Sequence, residues 1–161
     1  MANSPLLHSV RMAELTDIPK LLLIEHSAFV ESDGKLSRRA FRYHIASSNL
    51  FLVATPLGGA QEISGYILVF LRKKSARIYS LATAAEYGQQ GVAKSLLAAS
   101  LKSLSGKSVT RINLELRVSN TGARKLYDSF GFELSRVRQG YYGDGEPALC
   151  MTRNIIAPQD L

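Results

Sequence analysis

Cysteine is nearly absent from this chain: Cys150 is the only one in 161 residues. A lone thiol cannot close an internal disulfide, and its place in the apolar run Ala148 to Met151 predicts a small buried hydrophobe. No apolar stretch nears the length that spans a bilayer, and Pro5 to His8 is too short and too polar on its flanks for a signal peptide. A soluble, cytoplasmic protein with no membrane partner is expected. The histidines His8, His26 and His44 stand far apart with no cysteine or carboxylate at ligand spacing, so no metal site is expected. Signatures for Ser-His-Asp or Cys-His catalysis are missing, as are G-x-G-x-x-G and Gly-Lys-Ser/Thr. Repeats, low-complexity tracts and linkers are missing too, which leaves residues 1–161 as a single domain.

What is present is a chain 46% hydrophobic, enough for a full core, with a formal net charge of +7. The basic residues are scattered, as Arg38-Arg39, Lys73-Lys74, Arg111, Arg124-Lys125 and Arg136, with no interleaved aromatic platform. Nucleic acid is therefore not expected as the primary partner.

Hydrophobic periodicity and turn residues give a coarse architecture. His8 to Met12 reads as a strand; Thr16 or Asp17 can cap a helix with Pro19 in its first turn and Leu21, Leu22, Ile24 and Ala28 on its apolar face. Ser32 to Gly34 breaks the chain, and Ser37 to Ala46 gives a second helix. Leu50 to Ala54 and Ile63 to Leu71 read as strands joined through Pro56-Leu-Gly-Gly59, followed by a strand from Arg77 to Thr83. A long helix carries Val92, Ala93, Leu96, Leu97, Leu101 and Leu104 on one face and stops at Gly106. Then come a strand from Arg111 to Val118, a helix from Thr121 to Phe130 ended by Gly131, and strands over Phe132 to Val137 and Ala148 to Arg153. The order is β-α-α-β-β-β-α-β-α-β-β, of α/β (α+β) class.

The most informative segment is Glu86-Tyr-Gly-Gln-Gln-Gly-Val-Ala93, between a strand and the long helix. A turn holding Gly88 and Gly91 can aim main-chain N–H groups at an anion, and the helix adds its positive dipole end there, an arrangement suited to pyrophosphate. The bland alternative is an ordinary strand-to-helix turn.

This loop resembles the acyl-CoA loop of the GNAT N-acetyltransferase superfamily, Gln/Arg-x-x-Gly-x-Gly/Ala. Gly91 and Ala93 match its last fixed positions, while Gly88 stands where the family places Gln or Arg. Leu114-Glu-Leu-Arg-Val-Ser-Asn120, Ala123-Arg-Lys-Leu-Tyr127 with Gly131-Phe132, and Tyr141-Tyr142 before a last strand ending at Met151 are similar to the ribosomal-protein-alanine N-acetyltransferase branch. The likeness is strong from about residue 78 to 153 and weak before it. It implies a GNAT fold, a mixed central sheet of about six to seven strands flanked by about four helices. It also implies acetyl-CoA as co-substrate, with no metal, and a protein or peptide N-terminus, such as that of a ribosomal protein, as acceptor. The positive charge would suit the phosphates of CoA or a ribosomal surface. A monomer or a homodimer fits equally.

On the strand, Ile112, Leu114, Leu116 and Val118 alternate with Asn113, Glu115 and Arg117, so Glu115 lies on a polar face. Composition alone makes it a solvated carboxylate; the resemblance makes it the catalytic base. Ala123, Leu126, Tyr127 and Phe130 share one helix face, which suits core packing, whereas the resemblance makes Tyr127 the general acid. It further implies that the main chain of Leu81, Ala82 and Thr83 holds the pantetheine like an added strand. Gln89, Gln90, Gly91, Val92, Ala93 and Lys94 would take the pyrophosphate, Asn120 would touch CoA, and Tyr141 and Tyr142 would gate the acceptor. Asn120 is equally suited to a helix N-cap and the tyrosine pair to covering the sheet end. Pro147 replaces the residue, usually acidic, that precedes Ala in the family's last motif. Two rival functions stay open: acetylation of a small-molecule amine on the same fold, and a non-catalytic acyl-CoA-binding module.

Overall fold

The computed structural model describes residues 8–30, 33–59 and 61–155, so the segment before His8 and Ser32 of the expected chain break lie outside it. The elements are β1 (His8–Met12), α1 (Ile18–Ala28), α2 (Arg38–Ala46), β2 (Leu50–Pro56), β3 (Gly65–Leu71), β4 (Ser75–Thr83), α3 (Val92–Ser105), β5 (Arg111–Arg117), α4 (Thr121–Ser129), β6 (Glu133–Arg138) and β7 (Ala148–Asn154). Short 3-10 turns at Leu15–Asp17 and Ala85–Tyr87 are the additions to the expected order. One seven-stranded sheet runs β1-β2-β3-β4-β5-β7-β6, antiparallel except for β4 beside β5.

Leu50 to Ala54 and Tyr66 to Val69 are apolar without alternation because β2 and β3 are covered on both faces. Leu52, Ala54, Ile67 and Val69 join Leu96 and Leu97 of α3 and Tyr127 of α4 in one core. Phe51, Val53, Tyr66 and Leu68 point the other way, onto Leu21 and Ile24 of α1 and Phe41 of α2. Ser37 caps α2 by accepting from Ala40 N at 3.2 Å. Phe41, with no exposed surface, meets Tyr66 edge-on at 5.7 Å and lies 5.9 Å from Phe51.

Two expectations for α1 need correction. Asp17 is its N-cap residue, but the carboxylate makes no cap bond; it accepts from both Arg11 Nη atoms, at 2.8 and 2.9 Å, and from Glu14 N. A bidentate guanidinium is the stronger partner. Ala28, placed on the apolar face, is exposed because the helix ends there beside a cavity. Cys150 is buried and free, as expected. Among the described residues no helix is long and apolar enough to cross a membrane.

What positions the site is the one parallel contact. β4 and β5 pair only from Ser75↔Arg111 to Ile78↔Leu114. A register shift opposite Leu68 and Val69 leaves Tyr79 without a partner on β3, and such irregularities bend and twist a strand. Beyond it, β4 stays with β3 as far as Gly65↔Thr83, and β5 stays with β7 as far as Arg117↔Ala148. The facing edges of β4 and β5 therefore part. Gly65 lets α3 pack close on β3, since a Cβ there would sit 2.7 Å from both Ala82 O and Val92 Cγ1.

Candidate active site

A cavity of about 340 Å³ fills the parting of β4 and β5. It gathers Glu115, Tyr127, Asn120, Leu81, Tyr141 and Tyr142, which lie far apart in the chain. Ala82, Thr83 and the loop residues Gln89 to Lys94 do not line it. They follow along the end of β4 and into α3, with the β5-facing edge of residues 79–83 carrying no strand partner.

The loop geometry differs from the expected one in a single respect. Gly88 has φ −57, which any residue adopts, and the left-handed positions are Gln89 (φ 58) and Gly91 (φ 78). Gly91 is the N-cap of α3, whose first main-chain bond runs from Ser95 N to Gly91 O at 3.0 Å. The N–H groups of Val92, Ala93 and Lys94 stay open, as at any helix start, and point the dipole's positive end out of the loop. Gln90 is tied back to β1, its Oε1 lying 3.1 Å from His8 Nε2.

This geometry carries a cofactor test. Acetyl-CoA at about a hundredfold over its dissociation constant should stabilise the fold by about 2.7 kcal/mol, read as a rise in melting temperature. Gly91→Asp places a negative charge at the open amides and should abolish that rise. Gly91→Ala, which meets no atom within 4 Å but keeps the strained φ, reports the strain alone. An unchanged rise in a folded Gly91→Asp protein would remove the loop from the phosphate site.

Glu115 projects from β5 with its side chain 17% accessible and accepts from Arg77 Nε at 2.9 Å. Arg77 Nη2 also donates to the Tyr141 hydroxyl at 3.1 Å. Tyr127 is 6% exposed, packs edge-on against Phe132 at 5.4 Å, and turns to the cavity; burial raises its phenol well above the ordinary value. The N-cap alternative for Asn120 is seen, its Oδ1 accepting from Ala123 N at 3.1 Å at the start of α4, and the residue also lines the cavity.

Tyr141 and Tyr142 stand at the mouth, edge to face at 5.0 Å. Burial, helped by Tyr141, pushes the Tyr142 phenol up to about 12 although Arg117 lies over its ring at 4.2 Å. Arg117 was expected only as a polar-face residue of β5. It donates to Asp33 at 2.7 Å, Asp144 at 2.8 Å and Glu146 at 3.2 Å, joining the α1–α2 connection to the β6–β7 loop. The Pro147 carbonyl accepts from Val118 N at 3.3 Å, and the ladder of β5 with β7 starts one residue later at Ala148.

The sequence reading missed Arg77 and Glu25. Glu25, on α1, is 3% exposed, accepts from Leu36 N at 2.7 Å and from the Tyr66 hydroxyl, and borders the cavity. Tyr66 is buried and its phenol is raised further by that carboxylate. The alternation Arg77, Tyr79 was an available signal, since it sets an arginine on one face of β4. Among the described residues no His, Cys, Asp and Glu group could hold a metal ion.

A carboxylate and a phenol thus line one cavity, with an unpaired strand edge and a helix start following on from it. Residues 18–132 match the acetyltransferase (GNAT) family, and the chain belongs to it. It is an N-acetyltransferase dependent on acetyl-CoA, on the expected GNAT fold. A Bacillus subtilis (strain 168) relative that provisionally bears the name [ribosomal protein bS18]-alanine N-acetyltransferase is 31% identical over 144 residues, 89% of this chain and 93% of its own. An N-alpha-acetyltransferase of Sulfurisphaera tokodaii is 28% identical over 157 residues, 89% of this chain and 91% of its own. The crystal structure of the ribosomal-protein-S18-alanine N-acetyltransferase from Escherichia coli superposes with a TM-score of 0.82 at 27% identity, covering 96% of this chain and 98% of that one.

Proposed function

We propose that this protein acetylates the N-terminal α-amine of a protein, a ribosomal protein with N-terminal alanine first among candidates. The observation that carries the reading is the meeting of Glu115, Tyr127 and the tyrosine pair around one cavity. The names of the relatives support the same acceptor class. The reaction would run in the cytoplasm, by a monomer or a homodimer.

In this reading the free edge of Leu81, Ala82 and Thr83 holds the pantetheine, and Gln89 to Lys94 hold the pyrophosphate. Glu115 takes the amine proton, directly or through a water, as the new N–C bond forms. The C–S bond breaks as the Tyr127 hydroxyl gives its proton to the departing sulfur. The raised phenol keeps that proton at neutral pH, and a thiolate of ordinary pKa near 8.5 draws it only in concert with bond breaking.

Acceptor choice follows from proton availability. An α-amine has a pKa near 8 and a lysine near 10.4, so the neutral fraction of the α-amine at pH 7 is larger by roughly two orders of magnitude. A peptide with a free N-terminal alanine should outcompete the same peptide blocked there and carrying an internal lysine, by about tenfold or more. Mass spectrometry locating the acetyl group checks this. Predominant lysine labelling refutes the assignment, and acetylation of a polyamine or amino sugar with neither peptide labelled favours a small-molecule acceptor.

A further inference from the structure

We propose that Arg77 is a positioning residue for the transfer, fixing the Glu115 carboxylate and the Tyr141 hydroxyl with one guanidinium so that the base and the acceptor mouth keep a set relation. The inference rests on the reading of Glu115 as the base and deepens it. Arg77 Nε donates to Glu115 Oε2 at 2.9 Å and Nη2 donates to Tyr141 at 3.1 Å, so both bonds leave the same edge of a planar fork.

The backbone puts the fork in place. Arg77 pairs with Asn113 in the parallel stretch, one residue before the strands part, and Glu115 lies two residues further along β5. Arg77 is thus held by regular sheet structure while its side chain reaches across the opening. The arginine also lies over the Tyr79 ring at 5.7 Å, and Arg138 lies over the Tyr141 ring at 5.0 Å. With a rigid fork, neither acceptor atom moves without the other.

A lysine could satisfy one of these partners but not both in a fixed geometry, because its ammonium is a point charge on a flexible stem. The fixed cation has a second effect. An amine that arrives as ammonium meets a like charge beside the base, whereas an amine that sheds its proton readily does not. Arg77 therefore widens the preference for an α-amine over a lysine.

The test is steady-state kinetics of the full chain on a free N-terminal alanine peptide, comparing wild type with Arg77→Gln, Arg77→Lys, Glu115→Gln and the Arg77→Gln/Glu115→Gln pair. Arg77→Gln should lower kcat by about ten- to hundredfold, the span expected on losing hydrogen bonds to a charged group, with the KM for acetyl-CoA unchanged. Arg77→Lys should recover only part of it. The paired variant should lose less than the product of the two single losses, and the α-amine to lysine ratio should shrink in Arg77→Gln. Arg77→Gly supplied with millimolar guanidinium should regain rate, which a purely structural loss would not do. A wild-type kcat in Arg77→Gln beside a slow Glu115→Gln, or strictly additive losses in the pair, overturns this proposal and leaves the Glu115 reading standing. A wild-type rate in Glu115→Gln overturns both.

Discussion

Glu115→Gln and Tyr127→Phe should each lower the turnover of acetyl transfer by about ten- to ten-thousandfold, the span of single acid or base contributions and its lower fringe. Each substitution keeps the shape of the side chain, so acetyl-CoA affinity, measured by calorimetry on the same preparations, should barely move. Because burial holds the Tyr127 phenol above its ordinary value, its proton is present throughout the neutral range. The Tyr127→Phe deficit should therefore stay constant from about pH 6 to 9, well below where even an unperturbed phenol ionises. Wild-type turnover in both variants, with a cognate amine supplied, would mean that these residues only pack and solvate.

Phe41→Ala should destabilise the fold by about 3–5 kcal/mol, read as a fall in the urea midpoint at constant slope. The phenyl ring has no exposed surface and is the main contact by which α2 reaches Phe51 and Tyr66, so its removal leaves a hole between helix and sheet. Against a total of about 5–15 kcal/mol this is a large fraction. The damage should also reach the cavity, because Tyr66 holds Glu25 and lies 2.9 Å from Ser80 through its hydroxyl. Phe41→Leu, which keeps most of the volume, should be milder. A loss under about 1 kcal/mol for Phe41→Ala would show that α2 closes over the gap.

The elements of this fold are legible in the sequence because each has a local cause. Ser37 caps α2, the stripe from Val92 to Leu104 makes α3 amphipathic, and doubly covered β2 and β3 read as unbroken apolar runs. Glu115 was likewise visible as the polar partner in an alternating strand. What stayed hidden depends on pairs brought together over long stretches of chain. Arg77 meets Glu115 only once β4 and β5 are set parallel in a particular register, and Arg117 meets Asp33 across 84 residues. Glu25 carries no signal in the sequence, since nothing near it announces Tyr66. In the α3 loop, glycine content pointed to Gly88, yet Gln89 takes the left-handed turn, because neighbouring geometry rather than residue preference decides such a position.

The parting of β4 and β5 also bears on self-association. Unpaired main-chain groups on an outer strand invite other chains to extend the sheet, and proteins ordinarily blunt such edges. Here the open stretch, residues 79–83, lies inside the sheet, with β3 on one flank and β5 across the gap. A folded neighbour cannot bring a strand alongside without pushing β5 and its partner β7 away. A thin, extended molecule can slide in from the open end. The arrangement thus leaves room for a narrow, extended molecule and none for the strand of a folded neighbour, with neither a charge nor a proline on the open stretch.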